Sequence, residues 1–424
     1  MLEKIKNILF ETDRFLYKKF GSDKSTKSLE NIKEAQIIFD CLKEVKFVGG
    51  CVRKAICGEI IDDIDLATPL KPHEVKKILG EKNFKVFDTG ISHGTITAIL
   101  KNKKFEITTL RKDVMTDGRH AKVEFTSEWR EDALRRDFTI NAIYSDIEGR
   151  IYDPHDGISD LKKGKINFIG VSENRIQEDY LRILRYFRFY NQYSKMDHDS
   201  EVIQSIRKNI NGLNKISNER IFNEVNKILS LKNIDKLFND EKSKEIILNV
   251  FPQFKYGDRL KNFKILNQNI RDMYDSDLIL ALLILDNTKE YEYFCYKFKT
   301  SNKTKERFNN ISKNFDNLKS KKFFSEENIK KNIYLTNKKK VSDLLLFSSG
   351  IKNKSEIFKI EKLIEFTAKC RIPKFPISGD DLKKYGYKSD KDLGKKLESL
   401  KDQWIKNNFF IDKKKLEKAL EKKF

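Results

Sequence analysis

No apolar run in this chain approaches the ~18 residues that a membrane-crossing helix needs, which removes that class of protein. Cysteine is sparse: Cys41, Cys51, Cys57, Cys295 and Cys370 are scattered, odd in number and free of C-x-x-C spacing. That pattern speaks against a disulfide framework or a zinc site, and reads as buried small hydrophobes in a reduced compartment. Histidine is equally sparse. His155–Asp156 and His198–Asp199 have no further His or Asp at metal-ligand spacing, so they read as surface or turn residues. The N-terminal stretch carries Glu3, Glu11 and Asp13, which argues against a transit or secretory leader, and a cytoplasmic location is expected.

What the chain has in excess is positive charge. The formal net charge is +22, and residues 301–424 hold 33 Lys/Arg against 17 Asp/Glu, or +16 of that total. Such an imbalance predicts a polyanionic partner, although enrichment in Lys, Asn and Ile throughout would also follow from AT-rich coding. A length of 424 residues leaves room for roughly two to four domains with a sizeable core.

Apolar stretches at Lys46–Val48, Ile64–Ala67, Thr95–Leu100 and Phe105–Leu110 predict strands, the last two joined as a hairpin by the polar turn Lys101–Lys104. Pro72–Leu79 predicts a helix between them. Beyond about residue 170 strand signals fade. Helices are expected at Arg175–Tyr190, Glu219–Leu231, Leu278–Leu285, Val341–Phe347, Ile357–Phe366, Leu393–Lys406 and Lys413–Lys422, with a break at Pro373 and Pro376.

The densest chemistry lies in Phe47–Thr68, FVGGCVRKAICGEIIDDIDLAT. Gly49–Gly50 follows an apolar pair and reads as a strand ending in a turn with exposed backbone N–H groups. Arg53 falls in the first turn of a helix expected over Cys51–Cys57. Asp63 and Asp65 are i and i+2, so in an extended strand both carboxylates aim at one point. Two like charges so placed repel unless a cation sits between them, and Mg²⁺ is the hard, oxygen-seeking candidate. Backbone donors, a helix N-terminus and a guanidinium make a place for a polyphosphate. A D-x-D or a G-G alone is usually structural; their order here points to nucleotidyl or phosphoryl transfer.

This segment resembles motif A of the class II tRNA nucleotidyltransferase and poly(A) polymerase family. The family's other motifs follow in order: RRDFTINA at Arg135–Ala142, DPHDGISDL at Asp153–Leu161, EDYLR at Glu178–Arg182 and NERIFNE at Asn218–Glu224. The resemblance implies an α+β fold: an N-terminal mixed-sheet nucleotidyltransferase head with flanking helices, then an all-helical neck, body and tail. The expected division is a helical extension over 1–30, the head over 31–170, the neck over 171–235, the body over 236–340 and a basic, tRNA-binding tail over 341–424.

It also implies roles. Asp63 and Asp65 would hold two metal ions, with Glu106 as a third carboxylate or else an ordinary strand glutamate. Gly49, Gly50, Arg53 and Arg136 would meet the triphosphate, and Asp137 the ribose hydroxyl. Asp179 and Arg182 would pair with the base of the incoming nucleotide, Glu178 would hold the arginine, and Arg185 and Arg188 would assist. By spacing, Glu178, Asp179 and Arg182 share one face of a single expected helix, as they would on a surface helix laced by salt bridges. Arg111–His120 looks like a flexible specificity loop, or a solvated hairpin. Lys54 departs from the family, which has Asp or Asn there; it either adds a phosphate contact or weakens how Arg53 is held.

The expected activity is that of CCA-adding members: CTP, CTP and ATP added to the tRNA 3′ end with Mg²⁺, and no membrane or obligate protein partner. A poly(A) polymerase, a partial CC- or A-adding enzyme, and a non-catalytic RNA-binding protein on the same fold are the alternatives.

Overall fold

Alternation builds the sheet. In Ile64–Thr68 and Lys103–Thr109, the residues Ile64, Leu66, Phe105 and Ile107 recur at every second position and join one buried cluster. Asp65 and Glu106, between them, therefore face the opposite side. The computed structural model describes residues 33–116, 121–389 and 391–411. The chain divides into two compact units, 1–246 and 247–424.

The first unit contains β1 (Lys46–Val48), β2 (Ile64–Thr68), β3 (Lys85–Gly90), β4 (Thr95–Leu100), β5 (Lys103–Thr109), β6 (Arg111–Thr116), β7 (Ala121–Phe125), β8 (Tyr144–Ser145) and β9 (Ile151–Tyr152). Seven of them form a mixed sheet in the order β3-β4-β5-β2-β1-β8-β9. Its one parallel pair is β2–β5, which sets Asp65 opposite Glu106. Helix α1 (33–42) and α3 (Pro72–Gly80) cover one face, burying Ala35, Ile38, Val75 and Leu79 against Leu66, Ala98 and Phe105. Between them in sequence, α2 (Gly50–Ile56) follows the glycine pair. The β4–β5 hairpin forms as expected. Its turn places Lys101 and Asn102 at φ 48° and 66°. Of the two readings of Arg111–His120, flexible loop or solvated hairpin, the described part fits the second: it begins as β6, paired antiparallel with β7, and residues 117–120 lie outside the described residues. So do the extension expected over 1–30 and the helix expected over 413–422.

Helices then take over: α4 (Trp129–Leu134), α5 (Gly157–Lys163), α6 (Ser172–Glu178), α7 (Arg182–Tyr193), α8 (Ser200–Asn209) and α9 (Asn218–Leu229). The single helix expected over Arg175–Tyr190 is two. Asp179 leaves the helix at φ −153°, ψ 104°, and its carboxylate accepts the Leu181 N–H at 3.1 Å. An aspartate that bonds a backbone N–H two residues on offers the chain an alternative to helix, and here that alternative prevails.

His198 is not a surface residue, as its sequence context had suggested. It is buried against α7, stacked 3.5 Å from the Tyr190 ring. Its Nδ1 lies 3.0 Å from the Tyr186 hydroxyl, and its Nε2 is 3.0 Å from Asp240 and 2.8 Å from Ser243. Among the cysteines, Cys51, Cys295 and Cys370 are buried and Cys41 is half-buried, but Cys57 is exposed, against expectation.

The second unit is helical among its described residues. Ser276–Ile284 is buried nearly throughout and is crossed by Lys338–Ile351, where Gly350 lies so close to Leu282 that a Cβ would meet its Cδ2 at 2.4 Å. Arg307, buried, is answered by Asp275 and Asp343 at 2.6 Å each. A smaller cluster joins Ile377, Leu382 and Leu400, with Trp404 set edge-on to Phe375. No helix among the described residues is long and apolar enough to cross a membrane.

Burial pushes the His198 pKa below its ordinary value, outweighing the opposing pull of Asp240. The folded state therefore binds fewer protons than the unfolded chain, whose histidine titrates near ~6.5; this stability is complete above that pH and is lost as pH falls below it. His198→Gln keeps a donor toward Asp240 but cannot titrate. Urea unfolding from about pH 7.5 to about pH 5 should show the variant losing less stability than the parent, and equal losses would remove His198 as the source.

Candidate active site

The glycine pair is the meeting point of the sequence motifs. Gly49 sits at φ +68°, where a side chain would be strained, and a Cβ there would lie 3.4 Å from Arg136 Nη1. A Cβ on Gly50 would lie 4.0 Å from both Arg53 Nη2 and Asp65 Oδ2. The turn does not offer every backbone donor expected of it, because the Gly49 N–H is already bonded to the Ile143 carbonyl at 3.2 Å.

Asp63 is exposed just before β2, and Asp65 is half-buried within it. Burial, then the Glu106 and Asp63 charges, push the Asp65 carboxyl up to about 6, with Arg136 pulling the other way. A half-buried carboxylate with other carboxylates around it, only partly relieved by Arg136, is a hard oxygen ligand of the kind that suits a divalent cation. Glu106 also makes a half-exposed ion pair with Lys104 at 2.6 Å, which leaves its charge felt at Asp65. Among the described residues no three Asp, Glu, His or Cys side chains form a ready metal cage.

Behind this edge stands a chain of buried ion pairs. Asp132 on α4, 1% exposed, accepts from Arg135 at 2.7 Å, from Arg136 at 3.0 Å and from the Tyr144 hydroxyl at 2.7 Å. The two guanidinium groups hold its carboxyl well below the usual carboxylate range. Asp137, also buried and also held low, receives Phe138 N–H and Asn141 Nδ2 on one oxygen, at 2.9 and 2.8 Å. Its other oxygen receives Arg185 Nε and Nη2, at 2.6 and 2.5 Å. Those donors fill the about four acceptor positions a carboxylate has. Asn141 then turns its own carbonyl oxygen to Arg53 Nη1. Arg53 is buried, stacked over Phe189 at 4.7 Å and Tyr193 at 5.2 Å, and its Nε has no partner. Lys54, its neighbour in sequence, pairs with Asp62.

Helices α6 and α7 carry the arginine row. Glu178 holds Arg182 at 2.6 Å, as the spacing suggested, and also Arg175 at 2.7 Å. Asp179 does not join them: having left the helix, it pairs with Arg220 of α9 at 2.7 Å. Arg188 pairs with Glu224 of α9 at 2.5 Å. Three guanidinium groups share the Phe189 ring, Arg188 at 4.1 Å, Arg53 at 4.7 Å and Arg185 at 5.5 Å.

Sequence reading missed Asp132, Asn141, Arg175, Arg220 and Glu224. Asp132 stands three and four residues before Arg135 and Arg136, a helical pairing signal that was legible. Asn141, Arg220 and Glu224 lay inside the quoted motifs with no role given to them. Arg175 carried no signal beyond its i, i+3 spacing to Glu178.

Comparison with known proteins places these features in context. Residues 45–167 match the family model described as the poly A polymerase head domain, and residues 195–257 one described as a probable RNA and SrmB-binding site of polymerase A. The chain is 34% identical over 382 residues to the mitochondrial CCA tRNA nucleotidyltransferase 1 of Danio rerio, covering 88% of this chain and 86% of the relative. It is 34% identical over 380 residues to the human counterpart, covering 88% and 85%. The fold is similar to that of the Bacillus stearothermophilus CCA-adding enzyme in complex with CTP, at TM-score 0.64 and 24% identity, covering 89% of this chain and 93% of that one.

Removing the carboxylate of Asp132 leaves two guanidinium groups unanswered in a water-poor setting. Asp132→Ala should cost about 3–5 kcal/mol in denaturant unfolding, because a buried pair is broken rather than replaced. A loss below about 1 kcal/mol would mean the arginines find water or other partners, as exposed pairs do.

Proposed function

The chain belongs to the CCA tRNA nucleotidyltransferase family, and we propose that it adds C, C and A in turn to the tRNA 3′ end from CTP and ATP, releasing pyrophosphate. The observation that supports this most directly is the convergence of Asp65, Arg53 and Arg136 on the Gly49–Gly50 turn, where Arg53 shares the Phe189 ring with Arg185 and Arg188 of α7. Enzymes of this kind use divalent metal ions, and Asp63 and Asp65 are the residues that would hold them, Mg²⁺ being the cation their chemistry favours. An ion held there would supply Lewis-acid stabilisation of the charge that develops on the reacting oxygens. Glu106, across the register from Asp65, adds negative potential to the same edge.

The chain's own residues do the rest. Arg136 is oriented by Asp132, Tyr144 and the Asn141 carbonyl, so it can meet the triphosphate without first paying to be ordered. Arg53 brings a buried, partly unpaired guanidinium to the same anion. A ribose hydroxyl reaching Asp137 takes the place of one Arg185 bond, freeing an N–H toward the nucleotide. Asp179 and Arg182 read the base edge from separate anchors, and Arg188 supports them. The head over 31–170, the neck over 171–235 and the body over 236–340 divide this work, with the basic tail over 341–424 tracking tRNA phosphates. The expected location is the cytoplasm; recovery of the full chain in purified mitochondria would overturn that.

A gel of short-tailed tRNA with labelled CTP, ATP or both tests the activity. Two C additions, then one A and a stop, establish it; a long A ladder with ATP alone would make the protein a poly(A) polymerase. Asp63→Ala and Asp65→Ala should each abolish incorporation of both nucleotides while filter binding of tRNA persists. Arg182→Ala should relax the choice among nucleotides more than it lowers total incorporation, each misplaced hydrogen bond being worth about 1–3 kcal/mol. Binding of tRNA should weaken steeply with added salt as counterions are released, and a flat response would count against the basic tail.

A further inference from the structure

Three consecutive carbonyls close α4 and lead straight into Asp137: those of Leu134, Arg135 and Arg136. They are orphan acceptors at a helix end, and all three receive N–H groups from α6 and α7. Arg175 Nη2 donates to Leu134 at 2.9 Å and to Arg136. Arg182 Nη2 reaches Arg135 at 3.5 Å. The same Arg175 uses Nη1 on both oxygens of Glu178, at 2.8 and 2.7 Å, and its own backbone carbonyl accepts from Arg182 Nη1 at 2.8 Å. Arg175 and Arg182 are 12% and 11% exposed, so their bonds have little competition from water except at the exposed Leu134 carbonyl.

We propose that Arg175 is a positioning residue for base selection: it latches the segment carrying Arg136 and Asp137 to the Glu178–Arg182 pair, and thereby fixes the distance between the triphosphate-binding and base-reading groups. Its geometry is suited to that task. One guanidinium spans a carboxylate on α6 and two carbonyls beyond α4, which an ammonium group with no planar fork cannot reproduce. Without it, Glu178 keeps Arg182 as its sole arginine partner and loses its tie to the Leu134 and Arg136 carbonyls. Arg182 keeps Glu178, the Arg175 backbone carbonyl and one long bond to the Arg135 carbonyl, so what is lost is the firm tie of the Glu178–Arg182 pair to the segment carrying Arg136.

The proposal rests on Arg182 reading the base, so the two must be tested together. First-nucleotide addition to tRNA lacking its tail, measured as kcat/KM for CTP and for UTP with the full chain, gives the discrimination ratio. Arg175→Ala should lower that ratio about tenfold, the scale of one displaced hydrogen bond, with the KM for tRNA unchanged. A ratio equal to the parent's, with both nucleotides slowed alike and the melting temperature reduced, would overturn the latch and leave Arg175 a structural residue. If Arg175→Ala does not fold, Arg175→Lys carries the test, since it keeps the charge but not the fork: the ratio should again fall, and a parental ratio would again overturn the latch. Arg182→Ala run alongside separates the two failures. Should it keep its discrimination, the base-reading assignment itself falls, and the latch with it.

Discussion

Guanidinium charge withdrawn from water must be answered by an anion, and this requirement organises the whole site. Leaving a buried cation unpaired costs several kcal/mol, more than any single hydrogen bond in the sheet returns. Asp132 answers Arg135 and Arg136, Asp137 answers Arg185, Glu178 answers Arg175 and Arg182, and Glu224 answers Arg188. Arg53 is the exception. Its partner is the neutral Asn141, backed by the faces of Phe189 and Tyr193. A guanidinium held that way keeps much of its charge unspent, as the proposed contact with the substrate's phosphates requires.

Helix α7 reconciles this polar demand with packing. Arg182, Arg185 and Arg188 recur every third residue on one face, while Tyr186, Phe187 and Tyr190 bury the other against His198 and its neighbours. Phe189 belongs to both regimes: 1% exposed, it is core to its neighbours and a cation-binding face to three arginines. The side chains that carry charge are thereby mounted on a helix whose rotation is fixed by apolar contacts, which is what positional accuracy in a charged site requires.

Much of this was legible in the sequence, for reasons that differ by element. The β4–β5 hairpin and α3 were visible because alternation and helical period are local signals. The Asp65–Glu106 juxtaposition was guessed from the family and became geometry only through the β2–β5 register, which no local pattern encodes. The helix expected through Asp179 failed because Asp179 bonds the Leu181 N–H and Arg220, a local competitor and a partner 41 residues away. His198 was misjudged because it lacked metal-spaced neighbours; its partners, Tyr186, Asp240 and Ser243, satisfy it as a buried hydrogen-bonding group instead. The strands β8 and β9, two residues each, are too short to write any period.

The break at Asp179 separates two residues that sit three apart in sequence. Asp179 is fastened to α9 through Arg220, whereas Arg182 is fastened to α6 and to the end of α4. Their separation is thus a property of how three elements pack, not of the five letters EDYLR. Grafting those five letters onto another helix would transplant the charges without the spacing. Conversely, substitutions well outside the motif, anywhere that α9 shifts against α4, can change that spacing while every residue of the motif stays as it is.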